Sequence, residues 1–213
     1  MSPARAELRK LLTLPSMWVT ALATWSAGAL LGWLYAVAEA GGQPLGDDRA
    51  LGPLGYAQAG FVVLGVLAAA SEYQAGDQIR TTLVAMPRRL PLQAVKALTL
   101  TVVTLPLAAV TAATSTVPAG EPGRAPVAAA CLTLTALLSA AVGCCLRRAE
   151  TALVVLLVLY FVAGPLLRAR DGSIAAWLPD TAVQDPSRGA VAAVAWTAAA
   201  VTVAAVTFVR RDA

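Results

Sequence analysis

The feature that most constrains this 213-residue chain is a set of six apolar runs, each 17 to 24 residues long. A helix needs about 20 apolar residues to cross a hydrocarbon core of about 30 Å. Only 13% of the residues are charged, whereas soluble domains carry about a quarter. The sequence therefore predicts an all-α, polytopic membrane protein that forms one transmembrane domain over residues 1–213, with spans at Met17–Ala38, Leu54–Ser71, Pro91–Thr114, Val127–Leu146, Thr151–Leu167 and Ala190–Val209.

The distribution of basic residues predicts the orientation of these spans. Six spans place both termini on one side of the membrane, and that side collects 11 of the 16 lysines and arginines. Loops rich in lysine and arginine stay in the cytoplasm. Both termini are therefore expected to be cytoplasmic, and the net charge of +4 reports topology and not nucleic-acid binding.

Residues 2–14 predict a short amphipathic helix ahead of the first span. Ser2 is placed to cap this helix, and Pro3 suits its first turn. Leucines lie on one face and basic residues on the other, so the helix is expected to lie along the cytoplasmic headgroups. It serves either as a basic membrane anchor or as a surface that also contacts a cytoplasmic partner.

The segment between spans two and three holds an unusual concentration of polar residues. Asp77 is placed to cap a helix in which Ile79, Leu83 and Met86 recur on one face. Pro87 ends this helix, because the residue before a proline is disfavoured in the helical conformation. The sequence predicts an amphipathic helix over 77–86 on the cytoplasmic face, either a plain connector or a docking helix for a partner.

The longest outer loop, residues 168–189, contains the apolar segment Ile174–Leu178, which is followed by Pro179. This segment is too short to span a membrane. Its Trp177 favours the headgroup level, where aromatic side chains are enriched. We expect a short re-entrant or interfacial element before span six.

Several kinds of chemistry are excluded by the residues themselves. The chain has no histidine, no phosphate-binding loop and only two lysines, so it has no ATPase site of its own and no histidine-based metal or catalytic site. Cys131, Cys144 and Cys145 all fall in span four and are interpreted as packing residues. The spans lack charged residues at mid-depth, which disfavours an ion-coupled carrier or an intramembrane enzyme.

A family resemblance rests on a set of residues around the polar segment. They are Glu72, Tyr73, Gly76, Ile79, Thr82, Leu83, Pro87, Arg88 and Lys96. In this arrangement the chain resembles the permeases of ATP-binding cassette (ABC) exporters of the second permease class, especially short actinobacterial forms. The basic N-terminal helix, the six spans and the outer Trp177-Leu178-Pro179 segment extend the resemblance over nearly the full length. Asp77 stands where the family often has threonine, and both residues cap helices.

The resemblance implies roles for individual residues. The 77–86 segment would be a coupling helix that enters a cleft of a cytoplasmic ATPase, through Asp77, Gln78, Ile79, Arg80, Thr82, Leu83 and Met86. The N-terminal helix would contact the same ATPase through Glu7, Arg9 and Lys10. Residues of the cytoplasmic gate or family motif would be Glu72, Tyr73, Gly76, Pro87, Arg88 and Lys96.

The resemblance also implies an assembly in the bacterial plasma membrane. Two ATPase subunits would carry ATP and magnesium, a second permease is expected to be an identical copy, and this chain would bind no cofactor itself. The cargo is expected to be hydrophobic or amphiphilic, such as a drug, a peptide antibiotic or a lipid-like molecule. Candidate path residues are Thr99, Thr101, Thr104, Ser139 and Trp196. The alternative is a membrane scaffold or immunity subunit that docks a partner without transport.

Overall fold

The computed structural model describes residues 3–42, 52–74, 89–170, 177–182 and 186–211, and these residues are almost entirely helical, with no strand among them. We number seven helices in the described part of the chain. They are α1 (Pro3–Thr13), α2 (Pro15–Ala40), α3 (Gly52–Gln74), α4 (Arg89–Thr116), α5 (Ala125–Leu146), α6 (Ala149–Arg170) and α7 (Pro186–Arg211), with short 3₁₀ turns at Pro122–Arg124 and Pro179–Ala182.

Six of these helices are long and apolar enough to cross a membrane, which confirms the predicted number of spans. The apolar stretches lie at Pro15–Ala40, Gly52–Ala70, Pro91–Thr116, Pro122–Leu146, Ala149–Arg170 and Gly189–Thr207. Backbone groups in hydrocarbon must be hydrogen-bonded within the segment, and continuous helices meet that requirement. The chain is therefore a multi-pass helical membrane protein.

Some predicted residues lie outside the part of the chain that the structure describes. The whole 77–86 segment is among them, together with Gly76, Pro87, Arg88 and the apolar residues 174–176. Glu72 and Tyr73 lie in the last turn of α3, and only their backbone is described. The predicted coupling helix and re-entrant element therefore stay predictions. A helix does occupy residues 3–13, and its position along the headgroups stays a prediction as well.

The centre of the bundle is the pair α3 and α5, the two most buried spans. Small residues let their backbones approach closely, which is how helices associate where lipid gives no hydrophobic driving force. At Gly65 there is no room for a side chain, because a Cβ atom would overlap the carbonyl oxygen of Ala136. Around this contact lie the buried side chains of Phe61, Leu64 and Leu132.

The outer helices present apolar surface to their surroundings. On α2 the exposed side chains include Trp18, Leu22, Leu30 and Trp33. On α6 the exposed face is made of valines, leucines and a phenylalanine. Such surfaces are stable in a hydrocarbon solvent, where only the backbone and polar side chains must be satisfied internally.

Helix α6 differs from the expected fifth span at its far end. The predicted span ends at Leu167, whereas the helix continues to Arg170 through a π-helical turn at Leu159–Ala163. Pro165 is the second residue of the helical segment that follows this turn. Proline is tolerated in a first helical turn, because its missing N–H has no obligatory partner there.

Candidate functional site

Two ends of the bundle can be distinguished by the residues they carry. We call the end with α1, the start of α4 and the α5–α6 junction the basic end, because it holds Arg9, Lys96 and Arg148. The other end carries the C-terminal ends of α2, α4 and α6, and we call it the opposite end. Contact between the Cys145 sulfur and the Thr207 hydroxyl, 3.9 Å apart, shows that α5 and α7 finish together at the basic end.

Five helices converge on a small pocket of about 80 Å³ at the basic end. Helices α1, α3, α4, α5 and α7 all contribute lining residues, most of them alanine or leucine. Glu7 and Lys96 are the two charged side chains among those residues. The structure therefore brings together one residue predicted to lie on the ATPase-contacting helix and one predicted to belong to the gate.

Local periodicity explains how these side chains reach the pocket. On α4, Gln93, Lys96 and Leu100 recur at helical spacing and share one face. On α1, Glu7 and Leu11 lie one turn apart and face the same pocket. The Nε2 atom of Gln93 is buried there with no hydrogen-bond partner among the described residues. Polar side chains of α1 and α4 therefore enter an otherwise apolar junction of five helices.

The other predicted residues of α1 lie away from this pocket. Arg9 is exposed, and Lys10 is half-buried. Neither is among the residues that line the pocket. Of the predicted contact residues on α1, Glu7 is the one that lines this pocket.

The candidate path residues are not brought together at one site. Thr99 lines the basic-end pocket, Thr104 is buried beside α1 and α2, and Ser139 packs against Gly65. The hydroxyl groups of Thr99, Thr101, Thr104 and Ser139 all donate to carbonyl oxygens within their own helices. Such internal bonds satisfy hydroxyls in a membrane and leave no polar lining. Trp196 lies apart, where its indole N–H donates to the Trp177 carbonyl at 2.9 Å.

Sequence reasoning missed a polar cluster at the opposite end. An Nη1 atom of Arg168 lies 2.5 Å from Oδ2 of Asp180, whose side chain is only 4% exposed. Arg168, Gly164 and Tyr160 follow one another at intervals of four residues on α6, so they share a face. Gly164 is required there, because a Cβ atom would overlap the Asp180 carboxylate. The Tyr160 side chain is buried.

This cluster fastens the segment 177–182 to the bundle. Asp180 holds the segment to α6, and the Trp177 carbonyl accepts a hydrogen bond from α7. The sequence does contain a signal for this cluster, since arginines follow span five and Asp180 follows the next apolar segment. Nothing in that spacing, however, brings Arg168 and Asp180 together without the packing of α6 and α7.

Removing one partner of the Arg168–Asp180 pair is expected to destabilise the opposite end. Arg168→Met removes the arginine that pairs with a buried carboxylate, which costs about 2 to 3 kcal/mol and lowers the unfolding temperature by roughly 4 to 12 °C. Size-exclusion chromatography of samples heated in detergent micelles measures the midpoint. The double variant Arg168→Met/Asp180→Asn is expected to regain at least half of the loss.

A matched control is the exposed pair Arg124–Glu121, whose side chains are separated by 2.9 Å. Exposed pairs contribute about 0 to 1 kcal/mol, so Arg124→Gln is expected to leave the midpoint nearly unchanged. Equal effects of Arg168→Met and Arg124→Gln would contradict the role given to the buried pair.

The described residues were also compared with the requirements of a metal site. No group of three or more histidine, cysteine or acidic residues able to hold a metal occurs among the described residues. The three cysteines, all within that part of the chain, form no disulfide. No family model, curated protein or solved structure matches the chain.

Proposed function

We propose that this chain is the transmembrane permease subunit of an ATP-driven ABC exporter for a hydrophobic or amphiphilic cargo. The observation that carries the proposal is the junction at the basic end. Helix α1 packs directly against α4, and Glu7 and Lys96 share its pocket. Helices α3 and α4 flank the predicted coupling segment, so a force applied to that segment reaches five helices at once.

The distribution of charge supports the choice of cargo. Within the six spans of the described chain, the charged residues lie near the helix ends, and the buried polar groups at mid-depth are uncharged. A carrier of small ions or strongly polar solutes is expected to place ionisable groups within the membrane. A bundle lined by alanine, leucine, threonine and valine suits a drug, a peptide antibiotic or a lipid-like molecule.

In this proposal, partner subunits supply the ATP hydrolysis for which this chain has no site. ATP and magnesium bind to two copies of a cytoplasmic ATPase, which contacts residues 77–86 and α1. A second copy of this chain completes the permease, and the transport path lies between the copies. The assembly resides in the bacterial plasma membrane with both termini in the cytoplasm.

Co-purification with a candidate ATPase tests the proposed partnership. The tagged full chain is expressed together with each phosphate-loop ATPase that is found encoded next to its gene, and is extracted in mild detergent. We expect a complex with two copies of each chain, and ATP hydrolysis that rises several-fold when the permease is present in liposomes. A chain that binds the ATPase without raising hydrolysis would instead be a scaffold or immunity subunit.

A further inference from the structure

An apolar groove of about 450 Å³ lies between α1, α2 and α4. Its size falls within the range of about 300 to 1,000 Å³ that is typical of ligand pockets. The one hydroxyl in the groove, that of Thr104, donates to the Leu100 carbonyl at 2.9 Å and is satisfied. The remaining lining is apolar and includes Leu8, Leu12, Trp18, Leu64 and Leu107.

The groove opens towards the surrounding membrane. Three lining side chains lie partly outside the protein: Leu12 is 44% exposed, and Trp18 and Val102 are each 54% exposed. Leu64 of the central helix α3 is buried and forms the floor. Thr104 lies about 12 Å along α4 from Lys96, so the groove extends from the basic end into the depth of the hydrocarbon. An apolar crevice at that depth holds a hydrocarbon chain and not water.

Two positively charged side chains lie on the same face of α1 as leucines that line the groove. Arg5, Leu8, Arg9 and Leu12 recur at i, i+3, i+4 and i+7 of α1 and therefore share one face. Both arginines are exposed. Glu7, the one acidic residue of α1, lines the pocket on the other side of the helix. The face above the groove thus carries two cations and no acid.

The rim of the groove is fixed by hydrogen bonds. The indole N–H of Trp18 donates to the Leu12 carbonyl at 2.7 Å, which ties the first turn of α2 to the end of α1. The Thr13 hydroxyl donates to the Arg9 carbonyl at 2.8 Å. The first of these bonds satisfies a carbonyl group that a helix end otherwise leaves without a partner. The position of the apolar groove wall relative to the basic face of α1 is therefore fixed.

We propose that this groove binds one anionic phospholipid of the adjacent leaflet. Its acyl chain lies against Leu12, Trp18 and Val102, and its phosphate contacts Arg5 and Arg9. Apolar burial and a cationic headgroup site act together, as in other two-signal membrane attachments. The site does not depend on transport, because it follows from the groove and from the charge of α1 alone.

Quenching of Trp18 by brominated lipids tests this proposal on the full chain. The protein is reconstituted in phosphatidylcholine vesicles containing increasing fractions of phosphatidylglycerol brominated on its acyl chains. The Trp18 signal is the difference between the parent protein and Trp18→Phe. We expect half-maximal quenching at about a tenfold lower fraction of brominated phosphatidylglycerol than of brominated phosphatidylcholine.

Three variants test whether the preference for phosphatidylglycerol arises in the groove. Arg5→Gln/Arg9→Gln is expected to reduce the tenfold preference to about onefold. Arg148→Gln removes an exposed arginine elsewhere at the basic end and is expected to keep it. Ala21→Phe adds a ring inside the groove and is expected to remove the preference by excluding the acyl chain.

Two results would overturn the proposal. Equal quenching of the parent protein by the two lipids would show that the groove takes any apolar chain, as expected for a neutral amphiphile. A preference that survives Arg5→Gln/Arg9→Gln or Ala21→Phe would place the anionic site elsewhere.

Discussion

Replacing Gly65 with alanine is expected to cause the largest loss of stability of any single substitution considered for this protein. The new methyl group would overlap the backbone carbonyl oxygen of Ala136 and lie 2.9 Å from the Cβ atom of Ser139. A backbone atom cannot turn aside as a flexible side chain can, so α3 and α5 must separate. These two helices form the most extensive contact in the described bundle.

The cost of Gly65→Ala is expected to reach the upper part of the range for overpacking, about 3 kcal/mol. This corresponds to a fall of roughly 6 to 12 °C in the unfolding midpoint in detergent micelles. Gly143→Ala serves as a graded control in the same interface, because its Cβ would lie 3.1 Å from that of Ala69. Gly123→Ala meets nothing within 4 Å and is expected to change little. A midpoint for Gly65→Ala equal to that of Gly123→Ala would contradict the close helix approach.

The second large effect is expected from Leu83→Asp/Met86→Asp in the predicted coupling segment. Both residues lie on the apolar face of the helix predicted over 77–86, and carboxylates there would have to be desolvated on docking. Losing two such anchors is expected to reduce transport at least about 30-fold, since a single hot-spot residue contributes about 2 kcal/mol or more. ATP hydrolysis by the ATPase is expected to continue, so the two activities separate.

A charge-matched control lies on the opposite face of the same predicted helix. Thr81→Asp/Ala85→Asp adds the same two charges one turn apart, away from Ile79, Leu83 and Met86. We expect this variant to transport at nearly the parent rate. Immunoblots of membrane fractions check that both variants insert equally. Transport by Leu83→Asp/Met86→Asp at the parent rate would refute a coupling role for this face.

Hydropathy predicts the six spans because membrane solvation acts on whole segments. A run of about 20 apolar residues has few stable alternatives to a spanning helix, so each run in the sequence has a counterpart among the six long helices. The end of the fifth span differs by three residues from its predicted position at Leu167. Residues Gly164 and Pro165 resemble a helix stop, but they directly follow a π-helical turn and the helix continues to Arg170.

The contacts within the sites depend on packing that the sequence pattern does not contain. Glu7 and Lys96 lie 89 positions apart, and their common pocket requires α1 to fold back onto α4. Asp180 meets Arg168 only because Gly164 leaves space for the carboxylate. The threonines predicted to line a path carry hydroxyls, but these turn to their own helix backbones. Composition alone does not reveal whether such a hydroxyl bonds to its own helix backbone or faces a path.

ATP-dependent uptake into proteoliposomes tests the central claim of a permease most directly. Vesicles contain this chain with the ATPase that co-purifies with it, and the probes are rhodamine 6G and a fluorescent phosphatidylethanolamine, which represent an amphiphilic drug and a lipid. A permease in the orientation that exposes its ATPase outside the vesicle is expected to accumulate or translocate at least one probe with ATP. The movement is expected to cease with a non-hydrolysable ATP analogue. A complex that forms fully but moves neither probe, and whose ATP hydrolysis neither probe stimulates, would contradict the account and favour a scaffold.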